Sequence, residues 1–117
     1  MKLLPLLAFF GIFGLTGCSD MCGNEVSQTV ASPSGALKAV VFSRNCGATT
    51  GFNTQVSVLH ANKELPPEGG NTFIGNGSAS LVVRWENESS LKIAGGGAAS
   101  PIKQNTQVAG VAVAYGN

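Results

Sequence analysis

Two hydropathy patterns divide the chain. From Leu3 to Phe13 apolar positions run almost unbroken, whereas further on they alternate with polar ones in short stretches separated by Gly, Pro, Asn and Ser. Alternation places successive side chains on opposite faces of an extended backbone, so the second pattern predicts strands. Residues 37–42, Leu-Lys-Ala-Val-Val-Phe, are rich in β-branched and aromatic types and follow the turn signal Ser32-Pro33-Ser34-Gly35. Between residues 52 and 61, Phe52, Thr54, Val56 and Val58 fall on one face and Asn53, Gln55 and Ser57 on the other. Residues 65–71, Leu-Pro-Pro-Glu-Gly-Gly-Asn, read as a loop, because prolines cannot donate to a ladder and glycines loosen extended backbone. A short strand over 72–74 follows. Asn76-Gly77 then predicts a hairpin turn into a strand over 79–86, with Leu81, Val83 and Trp85 together on one face. A turn over 87–90 leads into Leu91-Lys92-Ile93, and Gly95-Gly96-Gly97 breaks the pattern. Residues 108–115 alternate again, with Val111, Val113 and Tyr115 on one face, which predicts a closing or edge strand. No useful helix is expected after residue 18. Short strands without a repeat predict an all-β fold, a small antiparallel β-sandwich or partly open barrel, with a single sheet as the alternative.

The apolar N-terminus changes what this domain must be. Lys2 followed by an apolar run that stops before Cys18, Ser19 and Asp20 has the shape of a secretory leader and falls short of the roughly 20 apolar residues of a membrane span. Residues 1–17 are therefore expected to be a cleaved signal peptide, 18–27 a tether and 28–117 the β-domain. Such a mature chain, roughly 100 residues, has room for one hydrophobic core. Its basic residues Lys38, Arg44, Lys63, Arg84, Lys92 and Lys103 are matched one for one by Asp20, Glu25, Glu64, Glu68, Glu86 and Glu88. This balance offers no basic stripe for a phosphate backbone, which excludes nucleic acid as a partner, and no cationic cluster for anionic lipid.

Leu15-Thr16-Gly17-Cys18 resembles the lipobox of bacterial lipoproteins. The resemblance implies cleavage between Gly17 and Cys18 and a diacylglyceryl thioether, with palmitate-type chains, on the Cys18 sulfur. It places the mature protein in the bacterial cell envelope, with the membrane as a partner through lipid. One acyl chain anchors only marginally, and two or three hold durably. In Gram-negative lipoproteins Asp directly after the acylated Cys retains the protein in the inner membrane; Ser19 in that place implies the outer membrane, facing the periplasm.

With Cys18 acylated, Cys22 and Cys46 remain in a compartment where disulfides persist. A structural disulfide between them is the main expectation, with free thiols and a redox-active pair as alternatives. No C-x-x-C is present, and Arg44 is the one cation close in sequence. The surrounding segments, Cys22-Gly23-Asn24-Glu25, Ser32-Pro33-x-Gly35, residues 38–42 and residues 44–57, resemble a set of small uncharacterised bacterial proteins with a C-G-N-E start and an R-x-C-G-A-T-T-G-F-x-T-Q-V-S centre. The likeness covers about the first half of the mature domain. It implies no activity, substrate or catalytic residue, and Ser34 stands where that pattern favours Asp.

The glycine-bounded loop from Cys46 to Gly51 offers two Thr hydroxyls and backbone amides beside Arg44. Arg44, Thr49, Thr50, Asn53 and Gln55 are thus the candidate surface for a small polar ligand or an envelope protein. The opposing reading makes the loop a tight turn whose threonines satisfy backbone groups. Nothing points to a cofactor. One histidine, His60, and a paired cysteine couple cannot assemble a zinc site, and His60 reads as a solvated residue at a strand end. Glu86 and Glu88 share one face of extended backbone but flank a turn, which argues against paired-carboxylate chemistry. The expected function is that of a non-enzymatic, lipid-anchored binding module. A thiol-redox or envelope-stress protein using Cys22 and Cys46, and an inhibitor of a cell-wall hydrolase, are the alternatives.

Overall fold

In the computed structural model, which describes residues 22–47 and 51–116, strand β1 (Gly23–Ala31) runs into β2 (Leu37–Asn45) through the predicted Ser-Pro-Ser-Gly turn. The Gly35 N–H donates to the Ser32 carbonyl at 2.9 Å, with Gly35 at φ 81°, a region open to glycine. β3 (Thr54–His60), β4 (Phe73–Gly75) and β7 (Pro101–Gln104) complete a five-stranded antiparallel sheet ordered β1-β2-β3-β4-β7. A second sheet is ordered β5-β6-β9-β8, from β5 (Val82–Asn87), β6 (Ser90–Ala94), β8 (Gln107–Val108) and β9 (Val111–Gly116). Among the described residues the one helical element is a 3-10 turn at Gly96–Ala99. None is long and apolar enough to cross a membrane.

The sheets pack face to face as a small β-sandwich. Leu37, Ala39 and Val41 of β2, Val56 and Val58 of β3 and Phe73 of β4 form one side of the core. Leu81 together with Val83, Leu91, Ile93, Val111 and Val113 forms the other. Trp85 packs at the margin, and its indole N–H donates to the Val30 carbonyl at 3.0 Å, tying β5 to the edge strand β1. On the opposite margin the Tyr115 hydroxyl bonds the carbonyls of Thr72 (3.0 Å) and Asn105 (2.7 Å), while burial pushes its pKa up to about 12. The Glu88 carboxylate, in the β5–β6 turn, accepts from the Ser34 N–H at 2.9 Å and the Ser32 hydroxyl at 2.8 Å. Those bonds, the Ser34 N–H first, lower the Glu88 pKa from its ordinary 4.5.

Several expectations are corrected. Residues 23–27, assigned to the tether, belong to β1: Gly23 lies opposite Asn45 and Val26 opposite Phe42, with Ser27 at a bulge. β1 hides from a pattern reading because its side chains are mostly exposed, as on an edge, and a bulge between Val26 and Gln28 breaks its period. Phe52 precedes β3 and is 84% exposed, so it does not share the inward face of Thr54, Val56 and Val58. Asn76-Gly77 carries the chain between sheets instead of closing a hairpin, with the Thr54 hydroxyl donating to the Gly77 carbonyl and accepting from the Ala79 N–H. Gly75 is needed here, because a Cβ would lie 2.5 Å from the Ala99 oxygen.

The expected strand over 108–115 is instead a hairpin of β8 and β9. Its two-residue turn, Ala109-Gly110, has φ of 52° and 79°, the double positive φ of a type I′ turn. The weak turn signal of Ala in that position concealed it. β9 lies inside its sheet between β6 and β8, and its pairing with β6 is parallel, the single departure from antiparallel order. β9 is buried on one face only, with Val111 and Val113 in the core and Ala112 and Ala114 exposed.

Candidate functional site

The polar motif predicted to face a ligand is assembled at one end of the sandwich, where β1 begins and β2 ends. Cys22 and Cys46 are disulfide-bonded there, one position beyond the Gly23–Asn45 pair, so the bond closes the open end of the β1–β2 hairpin. Both cysteines are half-buried.

Two asparagine side chains extend the ladders where the main chain turns away. The β2–β3 register ends at Phe42 opposite Gln55, so Arg44 would next face Asn53. Asn53 Nδ2 donates to the Arg44 carbonyl and Asn53 Oδ1 accepts from the Arg44 N–H, both at 2.7 Å. The carboxamide has the donor and acceptor of a peptide group, and here it replaces one. Asn71 repeats the device two positions beyond the Val56–Phe73 pair: its Oδ1 accepts from the Val58 N–H and its Nδ2 donates to the Val58 carbonyl, both at 2.9 Å.

The remaining motif residues hold residues 65–71 as a strap across the outer face of the five-stranded sheet. Val40 and Phe42 point to that outer face, away from the central core, yet are 3% and 1% exposed. Around them, Asn24 Nδ2 donates to the Pro66 and Glu68 carbonyls (3.0 and 3.2 Å) and Gln55 Oε1 accepts from the Gly70 N–H at 2.7 Å. The Ser57 hydroxyl accepts from the Asn71 N–H at 3.0 Å, and Lys103 Nζ donates to the Gly70 carbonyl at 3.0 Å. The Arg44 guanidinium donates to Asn24 Oδ1 at 2.7 Å and to the Pro67 carbonyl at 3.2 Å. Backbone carbonyls in an irregular segment need such donors once covered, and the motif supplies them.

Arg44, Asn53 and Gln55 are therefore brought together, but by one another and by the strap. Asn53 Oδ1 also accepts from Gln55 Nε2 at 3.1 Å. Thr49 and Thr50 lie outside the described residues, as do Cys18 and the leader. Asn24 is the member that sequence reasoning missed as a site residue, although the C-G-N-E segment contains it.

Beside this network an open recess of about 420 Å³ is bordered by Glu25, Ser43, Arg44, Asn45, Phe52 and Asn53, among others. A second, of about 350 Å³, shares Glu25, Ser43 and Asn53 and reaches Thr54, Ser78 and Ala79 at the mouth between the sheets. Among the described residues no group of three or more His, Cys, Asp or Glu side chains is placed to hold a metal ion. His60 is exposed at the end of β3. Glu86 pairs with Arg84 at 3.1 Å while Glu88 turns to Ser32 and Ser34, so these carboxylates serve different partners. The chain matches no protein-family model, no curated protein and no solved structure.

Proposed function

We propose that this protein is a lipid-anchored lipoprotein of the bacterial envelope whose β-sandwich acts as a non-enzymatic binding module held close to the membrane. The observation that carries this reading is the position of the disulfide. Cys22, four residues after the lipobox Cys18, is stapled to the end of β2, so an acyl group on Cys18 would hold the folded domain on a tether of at most about 14 Å. The described titratable side chains support binding over catalysis: His60 stands apart at a strand end, and Glu86, Glu88 and Arg44 each have a structural partner.

The test is the intact mass of protein extracted from membranes, with thiols alkylated before and after reduction. A diacyl- or triacylglyceryl adduct on Cys18, with two further thiols trapped only after strong reduction, is the expected result. An unmodified Cys18 refutes the anchor. A thiol-redox role is the second reading, favoured by the half-buried, reachable position of Cys22 and Cys46. Release of both thiols by mild reductant would put that reading first.

A further inference from the structure

We infer that Phe52 is a second membrane contact, seating the disulfide end of the sandwich on the bilayer beside the N-terminal lipid; this rests on the reading that Cys18 is acylated. The ring is 84% exposed, the most exposed of the large hydrophobic side chains among the described residues. Its place on the chain is held by its neighbour. Asn53 is bonded through both side-chain polar atoms to the backbone of Arg44, which lies two residues from Cys46, roughly 7 Å along a strand. Cys46 is bonded to Cys22, and Cys22 is four residues from Cys18.

Cys22, where the tether begins, and the exposed ring thus lie at the same end of the molecule, and four residues of tether are too few to lift that end far from the headgroups. An aromatic ring held there moves out of water into the boundary between headgroups and acyl chains, where apolar side chains add to covalent lipid. Among the described residues the charged side chains at this end are Glu25, Arg44 and Glu68, and the tether sequence adds Asp20, a mixed set with no cationic excess. The occupant is accordingly a zwitterionic lipid surface recognised by its apolar boundary, and the contact is insensitive to salt.

The native tryptophan is an internal reference. Trp85 bonds the Val30 carbonyl, and Val30 is eight residues along β1 from Cys22, roughly 26 Å away. The experiment reconstitutes the acylated protein and its Phe52→Trp variant in phosphatidylcholine vesicles, with and without bromine on the upper acyl chain. Trp85 emission of the parent is expected to be unchanged by bromine. The additional emission of Phe52→Trp is expected to shift to the blue and to lose at least half its intensity, equally at low and high salt. The Phe52→Ala variant is expected to keep the parent urea midpoint, showing that the ring does not support the fold. Acylated Cys18 with an unquenched Trp at position 52 overturns the membrane seat alone. Cys18 found unacylated by mass overturns both the seat and the anchor on which it rests.

Discussion

Asn71→Ala is the most direct test of side-chain amides as ladder elements. The substitution deletes two hydrogen bonds of 2.9 Å to Val58, a residue only 1% exposed, and leaves its N–H and carbonyl without their partners; it also removes the acceptor of the Thr72 hydroxyl at 2.6 Å. A net hydrogen bond contributes about 1 kcal/mol, and each buried polar group left unpaired costs about 1–3 kcal/mol, so a loss of about 2–4 kcal/mol is expected. That is a large share of the roughly 5–14 kcal/mol available to a domain of this size. Asn53→Ala is the matched control. It removes the same pair of bonds from Arg44, together with those to the Gly51 carbonyl and from Gln55 Nε2, but Arg44 is half-exposed, so water can replace the amide and the expected loss is about 1 kcal/mol. The assay is urea unfolding of the oxidised, leaderless chain carrying Cys18→Ser, followed by Trp85 emission, with unchanged slope as the sign of intact two-state behaviour. A loss for Asn71→Ala below about 1 kcal/mol, or no greater than that of Asn53→Ala, would refute the argument.

Three further outcomes are expected. Reducing Cys22–Cys46, which are 24 residues apart, frees denatured-state entropy worth about 3.5 kcal/mol on the chain-entropy model, read as a fall in the urea midpoint with dithiothreitol that a Cys22→Ser, Cys46→Ser double variant does not show. The depressed Glu88 pKa means that the unfolded chain binds this proton more readily than the folded one. Its stabilisation is present above pH 4.5, lost as pH falls through the lower folded value, and absent from the pH profile of Glu88→Gln. Tyr115 has the opposite sign: with its folded pKa raised to about 12 from 10.0, its contribution is complete below pH 10 and falls away as pH rises from there, and Tyr115→Phe should flatten that alkaline limb.

The interior of the fold was legible wherever a strand has one apolar face. β3 and β6 are legible because Val56, Val58, Leu91 and Ile93 alternate with Gln55, Ser57 and Lys92 and point into the core, whereas β2 is legible from its β-branched and aromatic content, since Val40 and Phe42 beside Val41 are buried too, and β5 from Val83 and Trp85 on either side of Arg84. β1 was not legible, since an edge strand with a bulge and exposed Glu25, Ser27, Gln28 and Thr29 carries no such stripe. β7 was hidden by Pro101 at its start, which is compatible with an edge position and misleading as a strand signal. The parallel pairing of β6 with β9 is a property of how the sheets close, and no local residue pattern encodes it.

At the candidate site, sequence reasoning identified Arg44, Asn53 and Gln55 as one group, and the structure does join them. Their side chains bond one another and the strap of residues 65–71. A dense run of amides and hydroxyls looks the same whether it faces a ligand or a strap of the same chain. The clue was residues 65–71, whose two prolines and two glycines leave carbonyls that the chain itself must satisfy.

The disulfide also decides how the domain bears mechanical load. Tension applied through the N-terminal tether would, in a reduced chain, reach the end of β1 and peel it from β2 one residue pair at a time. With Cys22 joined to Cys46, the same pull passes across the bond into β2, which is flanked on both sides by paired strands. Unzipping is thereby replaced by loading of an interior strand, the more resistant geometry for a domain pulled from its N-terminus.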